Sequence, residues 1–178
     1  MMRPAGMLII LSGLPGTGKT TIARHLAARM DATHIRVDTI EQALRSSGTL
    51  KDDVGPAGYA IAYAVSQDNL RLGRTIIADS VNPLQITRDA WRSVAQRSLS
   101  PSVEIEVICS DRDEHRRRVE TRHSDIEGLK QPTWQDVVDR RYDSWDHPPI
   151  VVDTALGDAD NIVTDLIARI RRAQSASA

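Results

Sequence analysis

The chain holds one cysteine, no phenylalanine, and only three tryptophans and three tyrosines in 178 residues. A lone Cys109 makes no internal disulfide, so a reducing compartment, the cytoplasm, is the expected home. The shortage of aromatics places the core on Leu, Ile, Val and Ala, which suits buried parallel strands covered by Ala-rich helices. Net charge is nearly absent too, since 23 Lys and Arg face 24 Asp and Glu. That balance supplies no overall basic field to gather nucleic acid. Long hydrophobic runs are also missing. The apolar run at residues 7–11 is about five residues against the roughly 20 of a membrane span, and no small-residue cleavage pattern follows it. It is expected to be a buried strand. His25, His34, His115, His123 and His147 show no pairing with Cys or carboxylates at metal-ligand spacing, so surface or capping roles are expected. The length suits a single domain over residues 1–178 that needs no disulfide or metal.

What the chain has in abundance is alternation. Strands are predicted at residues 7–12, 33–37, 75–78, 103–109 and 150–152, the first a continuous apolar run and the fourth an alternation of charged and aliphatic residues. Helical spacing predicts helices at 20–30, 39–45, 59–72, 84–97, 114–122, 133–145 and 160–172. Gly73 is the expected C-cap of the third helix and Thr133 the N-cap of the sixth. The tail from residue 174 is expected to fray. This order implies an α/β three-layer sandwich: a five-stranded parallel sheet with helices on both faces and right-handed crossovers. Ligands of such sheets bind beyond the carboxyl ends of the strands. Asp38, Asp79, Asp111 and Asp153 each fall within about two residues of a predicted strand end, where chemistry is expected.

Residues Gly13, Leu14, Pro15, Gly16, Thr17, Gly18, Lys19 and Thr20 match G-x-x-x-x-G-K-[ST] in full, between a predicted strand and a predicted helix. Gly16 and Gly18 let backbone N–H groups converge on phosphate oxygens, and the helix that follows adds its partial positive charge. Lys19 reaches the β- and γ-phosphates, and the Thr20 hydroxyl takes a place on Mg²⁺. Thr21 closes the cradle. ATP with Mg²⁺ is the expected ligand pair. No guanine-reading Asn/Thr-Lys-x-Asp segment follows a later strand, as a GTP switch would need. A remodelling ATPase would need an extra helical domain for which the chain has no room. A small kinase remains, and it needs three further parts. Asp38 is the candidate to accept or aim the acceptor hydroxyl, with capping of the next helix as the competing role. Asp79 is the candidate carboxylate on the metal side, with acceptor holding or a turn as competing roles. Arg118 and Arg122, four apart on one helix face, are candidates to neutralise the transferred phosphoryl group. They open a lid at about residues 118–133, whose polar part is 123–132. Residues 38–72 form the expected acceptor side, with specificity in the stretch 46–56. Tyr59, Tyr63, Trp134, Tyr142 and Trp145 are expected either in the core or around the acceptor.

Over about residues 7–155 the chain resembles the small P-loop kinases, AAA-type predicted kinases among them. The group includes chloramphenicol phosphotransferase, gluconate kinase, adenylyl-sulfate kinase and the kinase domain of phage polynucleotide kinase. The stretch Val37-Asp38-Thr39-Ile40-Glu41 is similar to the one carrying the proposed catalytic Asp of the first. The run Ile76 to Pro83, with Arg88 and Trp91, resembles the corresponding strand and helix of the last. Arg118 and Arg122 resemble the lid arginines of both. The resemblance implies adenine between Arg116 or Arg117 on one side and Asp153 and Thr154 on the other. Glu41 stands where polynucleotide kinases carry an arginine that meets phosphate, and a carboxylate there repels it. A small neutral or cationic alcohol is therefore the expected acceptor. A nucleic-acid 5′-hydroxyl, and nucleotide binding without transfer, stay open as alternatives.

Overall fold

The computed structural model describes residues 6–48 and 54–176. Residues 49–53, inside the stretch expected to set acceptor specificity, and residues 177–178 of the expected fraying tail lie outside it. Among the described residues five strands and seven helices alternate: β1 Leu8–Ser12, α1 Lys19–Met30, β2 Thr33–Arg36, α2 Val37–Ser46, α3 Ala57–Arg71, β3 Ile76–Asp79, α4 Gln85–Arg97, β4 Ser102–Ile108, α5 Arg112–Thr121, α6 Trp134–Val138, β5 Ile150–Asp153 and α7 Ala159–Ala176. All strands pair in parallel in the order β2-β3-β1-β4-β5. The chain order reverses around β1, so the loop after β1 opens into the crevice where such sheets hold ligands.

Period-two alternation divides β1 between two cores. Ile9 and Leu11 join Ile77, Ile105, Val107 and Val152 beneath α1 and α7, which contribute Ile22, Leu26, Val163, Leu166 and Ile170. Leu8 and Ile10 face the other way, with Ile76 and Ala78, beneath Ala62 and Leu70 of α3 and Trp91, Val94 and Ala95 of α4. Both faces of β1 are therefore apolar, which is why its sequence, LIILS, shows no polar alternation. β4 behaves differently. Its Ile105 and Val107 enter the first core, while Glu104 on the opposite face is buried and pairs with Arg92 and His147.

Two predicted helices differ by more than two residues at their C-terminal ends. The helix expected over 133–145 stops at Val138. Its start is as predicted, a capping box between Thr133 and Asp136. Beyond Val138 tertiary contacts override helical spacing. Tyr142 and Trp145 stack on the Arg88 guanidinium, 4.9 and 4.0 Å from ring centroid to Cζ. Asp143 accepts the Gln85 N–H through its side chain and donates its own N–H to the Pro83 carbonyl. The final helix, expected to end at 172, continues to Ala176; within its last turns Gln174 Nε2 reaches Met7 Sδ.

Candidate active site

The loop from Gly13 to Gly18 joins β1 to α1 and is held from several sides. Gly13 sits at φ 143°, and a Cβ there would lie 2.2 Å from the Val107 carbonyl oxygen, so β4 approaches as closely as glycine permits. Gly16, at φ 84°, would drive a Cβ to 2.5 Å from a Val119 methyl. His115 of α5 bonds the Pro15 carbonyl through Nε2 at 2.8 Å, and the Gly13 N–H donates to Val81 O at 3.1 Å. Lys19, at the first position of α1, donates to Leu14 O at 3.1 Å and is almost wholly buried. Burial lowers its pKa, the nearby carboxylates of Asp79 and Asp38 oppose that, and Arg122 and Arg36 add to the lowering. A buried ammonium beside Arg122 and Arg36, which its two neighbouring carboxylates do not fully offset, is suited to a polyphosphate.

Asp79 ends β3 and is also buried. Burial raises its pKa, but hydrogen bonds from His34 and Thr20 and the charges of Lys19 and His34 outweigh it, and the net shift is downward. His34 Nε2 lies 3.1 Å from Asp79 Oδ2. Thr20 and Asp79 thus place a hydroxyl and an ionised carboxylate side by side, the hard oxygen donors that Mg²⁺ selects.

Asp38 lies in the first turn of α2 rather than after a strand, because β2 passes directly into the helix with an extended Arg36 as its cap. The Asp38 side chain does not cap the helix. It lines two adjoining cavities. The smaller, about 290 Å³, is walled by Gly16, Gly18, Lys19, Thr20, Asp79 and Arg118, among others. The larger, about 890 Å³, lies between α2, the loop after β3, and Gly128 to Pro132 of the lid. Pro15, Asp38, Val81 and Arg122 border both. Tyr59 lines the larger one, and its hydroxyl accepts the backbone N–H of Asn82 at 3.1 Å. Asn82 is buried in the left-handed region at φ 49°, and its amide bonds Ser12 Oγ at 2.9 Å.

The other candidates sort themselves by position. Arg118 lines the smaller cavity, held by Glu114 at 2.7 Å and by Thr154 Oγ1 at 2.8 Å. Thr154 also bonds the Thr17 carbonyl and packs against Gly18. Thr21 lines the smaller cavity as well. Arg116 and Arg117 are exposed, paired with Glu120 and Glu114, and line neither cavity. Asp153 accepts the N–H groups of Ser110 and Ala155, shaping the turn before α7, and Asp111 caps α5 by accepting from Asp113 and Glu114. Of the four strand-end aspartates, then, Asp38 and Asp79 reach the cavities. Tyr63 donates to Thr87 O and stands edge-on to Trp91, Trp134 packs edge-on against His115, and neither lines a cavity. Arg88 is fully buried in structural bonds to Asn82 O and Ser144 O. Sequence reading missed His34 and His115. Their partners are 45 and 100 residues away, and no spacing rule joins them.

The fold and the cradle define the class, a small P-loop kinase fold. Residues 8–142 match the model of the AAA domain family, and the chain belongs to that family. Adenylyl-sulfate (APS) kinase from Mycobacterium tuberculosis, solved with AMPPNP and APS, aligns with a TM-score of 0.71 at 17% identity, covering 94% of this chain and 99% of that one. A gluconokinase from Sinorhizobium meliloti 1021 aligns with a TM-score of 0.64 at 19% identity, covering 96% and 94%. A stretch of 36 residues is 50% identical to thymidylate kinase from Xanthomonas euvesicatoria pv. vesicatoria (strain 85-10); it spans 20% of this chain and 16% of that one. No helix among the described residues is long and apolar enough to cross a membrane.

Proposed function

We propose that the protein is an ATP- and Mg²⁺-dependent kinase that moves the γ-phosphoryl group of ATP to a hydroxyl of a small molecule. The observation that carries this reading is the position of Asp38, a carboxylate on the border between a phosphate cradle and a second, larger cavity. A hydroxyl in the larger cavity within reach of Asp38 is aimed across that border at the terminal phosphorus. Asp38 accepts its proton or fixes its direction. Lys19, Arg118 and Arg122 offset charge on the transferred group inside a site that the lid screens from water. Thr20 and Asp79 would hold the metal, which would neutralise charge on the phosphates when bound. Thr154, packed on Gly18 and bonded to the loop, supports the cradle from the side where the nucleoside is expected.

The larger cavity is lined by the carboxylates of Asp38, Glu41, Asp136 and Asp139 and by the cations Arg45, Arg122, Lys130 and Arg140. Its walls carry no excess of positive charge to draw a phosphorylated acceptor, and a neutral or cationic alcohol, such as a sugar, nucleoside or antibiotic-like compound, fits them. A panel of such alcohols with isotope-labelled ATP identifies the compound that gains phosphate. On that compound, Asp38→Asn is expected to lower transfer by roughly a hundredfold or more while ATP binds as before. Unchanged turnover would remove Asp38 from the mechanism. Labelling of a single-stranded oligonucleotide instead, with steeply salt-dependent binding, would move the acceptor to nucleic acid.

A further inference from the structure

We propose that Arg36 and Asp125 are positioning residues that latch the lid to the framework of the cradle and thereby set Arg122 between the two cavities. The catalytic part of this inference rests on the kinase reading above, while the latch itself does not.

Arg36 is the last residue of β2, and its side chain is 5% exposed. Its Nη1 donates to both carboxylate oxygens of Asp125, at 3.0 Å each. Arg24 of α1 holds the same carboxylate from the solvent side. Asp125 belongs to the lid, so two cations on α1 and β2 grip a segment that is distant in sequence. α1 begins with Lys19, and β2 runs directly into the turn that bears Asp38. Three residues further along the lid, Gly128 rests on α2, where a Cβ would come within 2.8 Å of Gln42 Nε2. The lid is thus tied to the same elements that carry the cradle lysine and the acceptor-side carboxylate.

Arg122 shows why this matters. It borders both cavities, yet it pairs with no carboxylate among the described residues. It has also left the helix, with extended backbone at φ −65° and ψ 126°. Its placement therefore follows from the chain on either side: α5 before it, and Asp125 three residues after it. Arg36 makes the tie asymmetric. Its Nε and Nη2 are buried without a hydrogen-bond partner, so Asp125 is its counter-charge among the described residues. Releasing the lid leaves a nearly buried guanidinium without that partner, which costs far more than separating an exposed pair. The closed lid is favoured accordingly, and Arg122 is held in register with Lys19 before any acceptor arrives.

The test compares the wild-type chain with Asp125→Asn and Asp125→Glu, which alter a partly exposed side chain and spare the core. Hydrogen exchange of residues 122–132 is expected to quicken about tenfold in Asp125→Asn and less in Asp125→Glu, a larger change than at the amides of β1, with ATP affinity held. On the acceptor found in the panel, kcat should fall about tenfold with little change in the KM for ATP. Because the latch acts through Arg122, Asp125→Asn should cost no further transfer in an Arg122→Ala background. Unaltered lid exchange in Asp125→Asn would overturn the latch. Full additivity of the two substitutions would overturn the link to Arg122. If the wild type transfers phosphate to nothing, the kinase reading fails, and the exchange measurement still decides the latch.

Discussion

The two cavities meet at Asp38 but are built in opposite ways. The smaller takes about half of its lining from one contiguous stretch, Pro15 to Thr21, in a loop braced by β4, α5 and the turn after β5. The larger gathers side chains from α2, α3, the loop after β3, the lid and α6, most of them charged or polar and few of them bonded to one another. A triphosphate tail is the same in every kinase, and a rigid cradle serves it. An acceptor differs from one kinase to the next, and a wall of separate side chains can change one residue at a time without disturbing the cradle.

Substitutions on the two sides should therefore fail differently. The largest effect is expected from Lys19→Ala, which should cut transfer by roughly a thousandfold and weaken ATP binding, read by calorimetric titration and labelled-product assay. Normal ATP affinity in that variant would erase the distinction between the sides, since Asp38→Asn is expected to spare nucleotide binding. Next comes Arg88→Ala. It lies outside both cavities, and losing its two ring contacts and its carbonyl partners should cost on the order of 3 kcal/mol, measured by denaturant unfolding. Tyr59→Phe should be smaller. It leaves the buried Asn82 N–H without its acceptor, at about 1–3 kcal/mol, and should raise the acceptor KM several-fold while ATP affinity holds. An equal loss on both sides would show that the loop through Asn82 couples them tightly. The smallest effect concerns pH. Burial raises the Asp125 carboxyl, but Arg24 and Arg36 outweigh it and hold it at about 2, against an ordinary value of 3.8. A depressed carboxyl stabilises the closed lid fully above its ordinary value and loses that contribution as pH falls through about 2. Lid protection, corrected for intrinsic exchange, should stay level from pH 7 to about 4.

Sequence alone carried the cradle because its chemistry is local. Lys19 and Thr20 follow the glycines directly, and the strand before them is apolar up to Ser12. It carried the sheet through short local patterns between helices, apolar runs in β1, β3 and β5 and an alternation of charged and aliphatic residues in β4. Asp38 and Asp79 were found from the rule that strand ends face the ligand, although Asp38 proved to sit inside a helix. That rule also picked out Asp111, which caps α5, and Asp153, which shapes a turn. The remaining site depends on contacts between distant residues. His34 meets Asp79 across two neighbouring strands, and His115 reaches Pro15 from α5. The stretch after Val138 has helical spacing, but the buried charge of Arg88 draws Tyr142 and Trp145 out of it. No periodicity reveals a cation waiting in another helix.

That Arg88 clasp has a practical consequence. It moors the chain just downstream of α6, as Asp111 and His115 moor α5 upstream, so the span between them can be exchanged as a unit. A graft of residues 126–132 from a related protein, which keeps Asp125 opposite Arg36, should fold in place and bring its own contribution to acceptor preference with it. The same graft extended past residue 142 would cut the mooring.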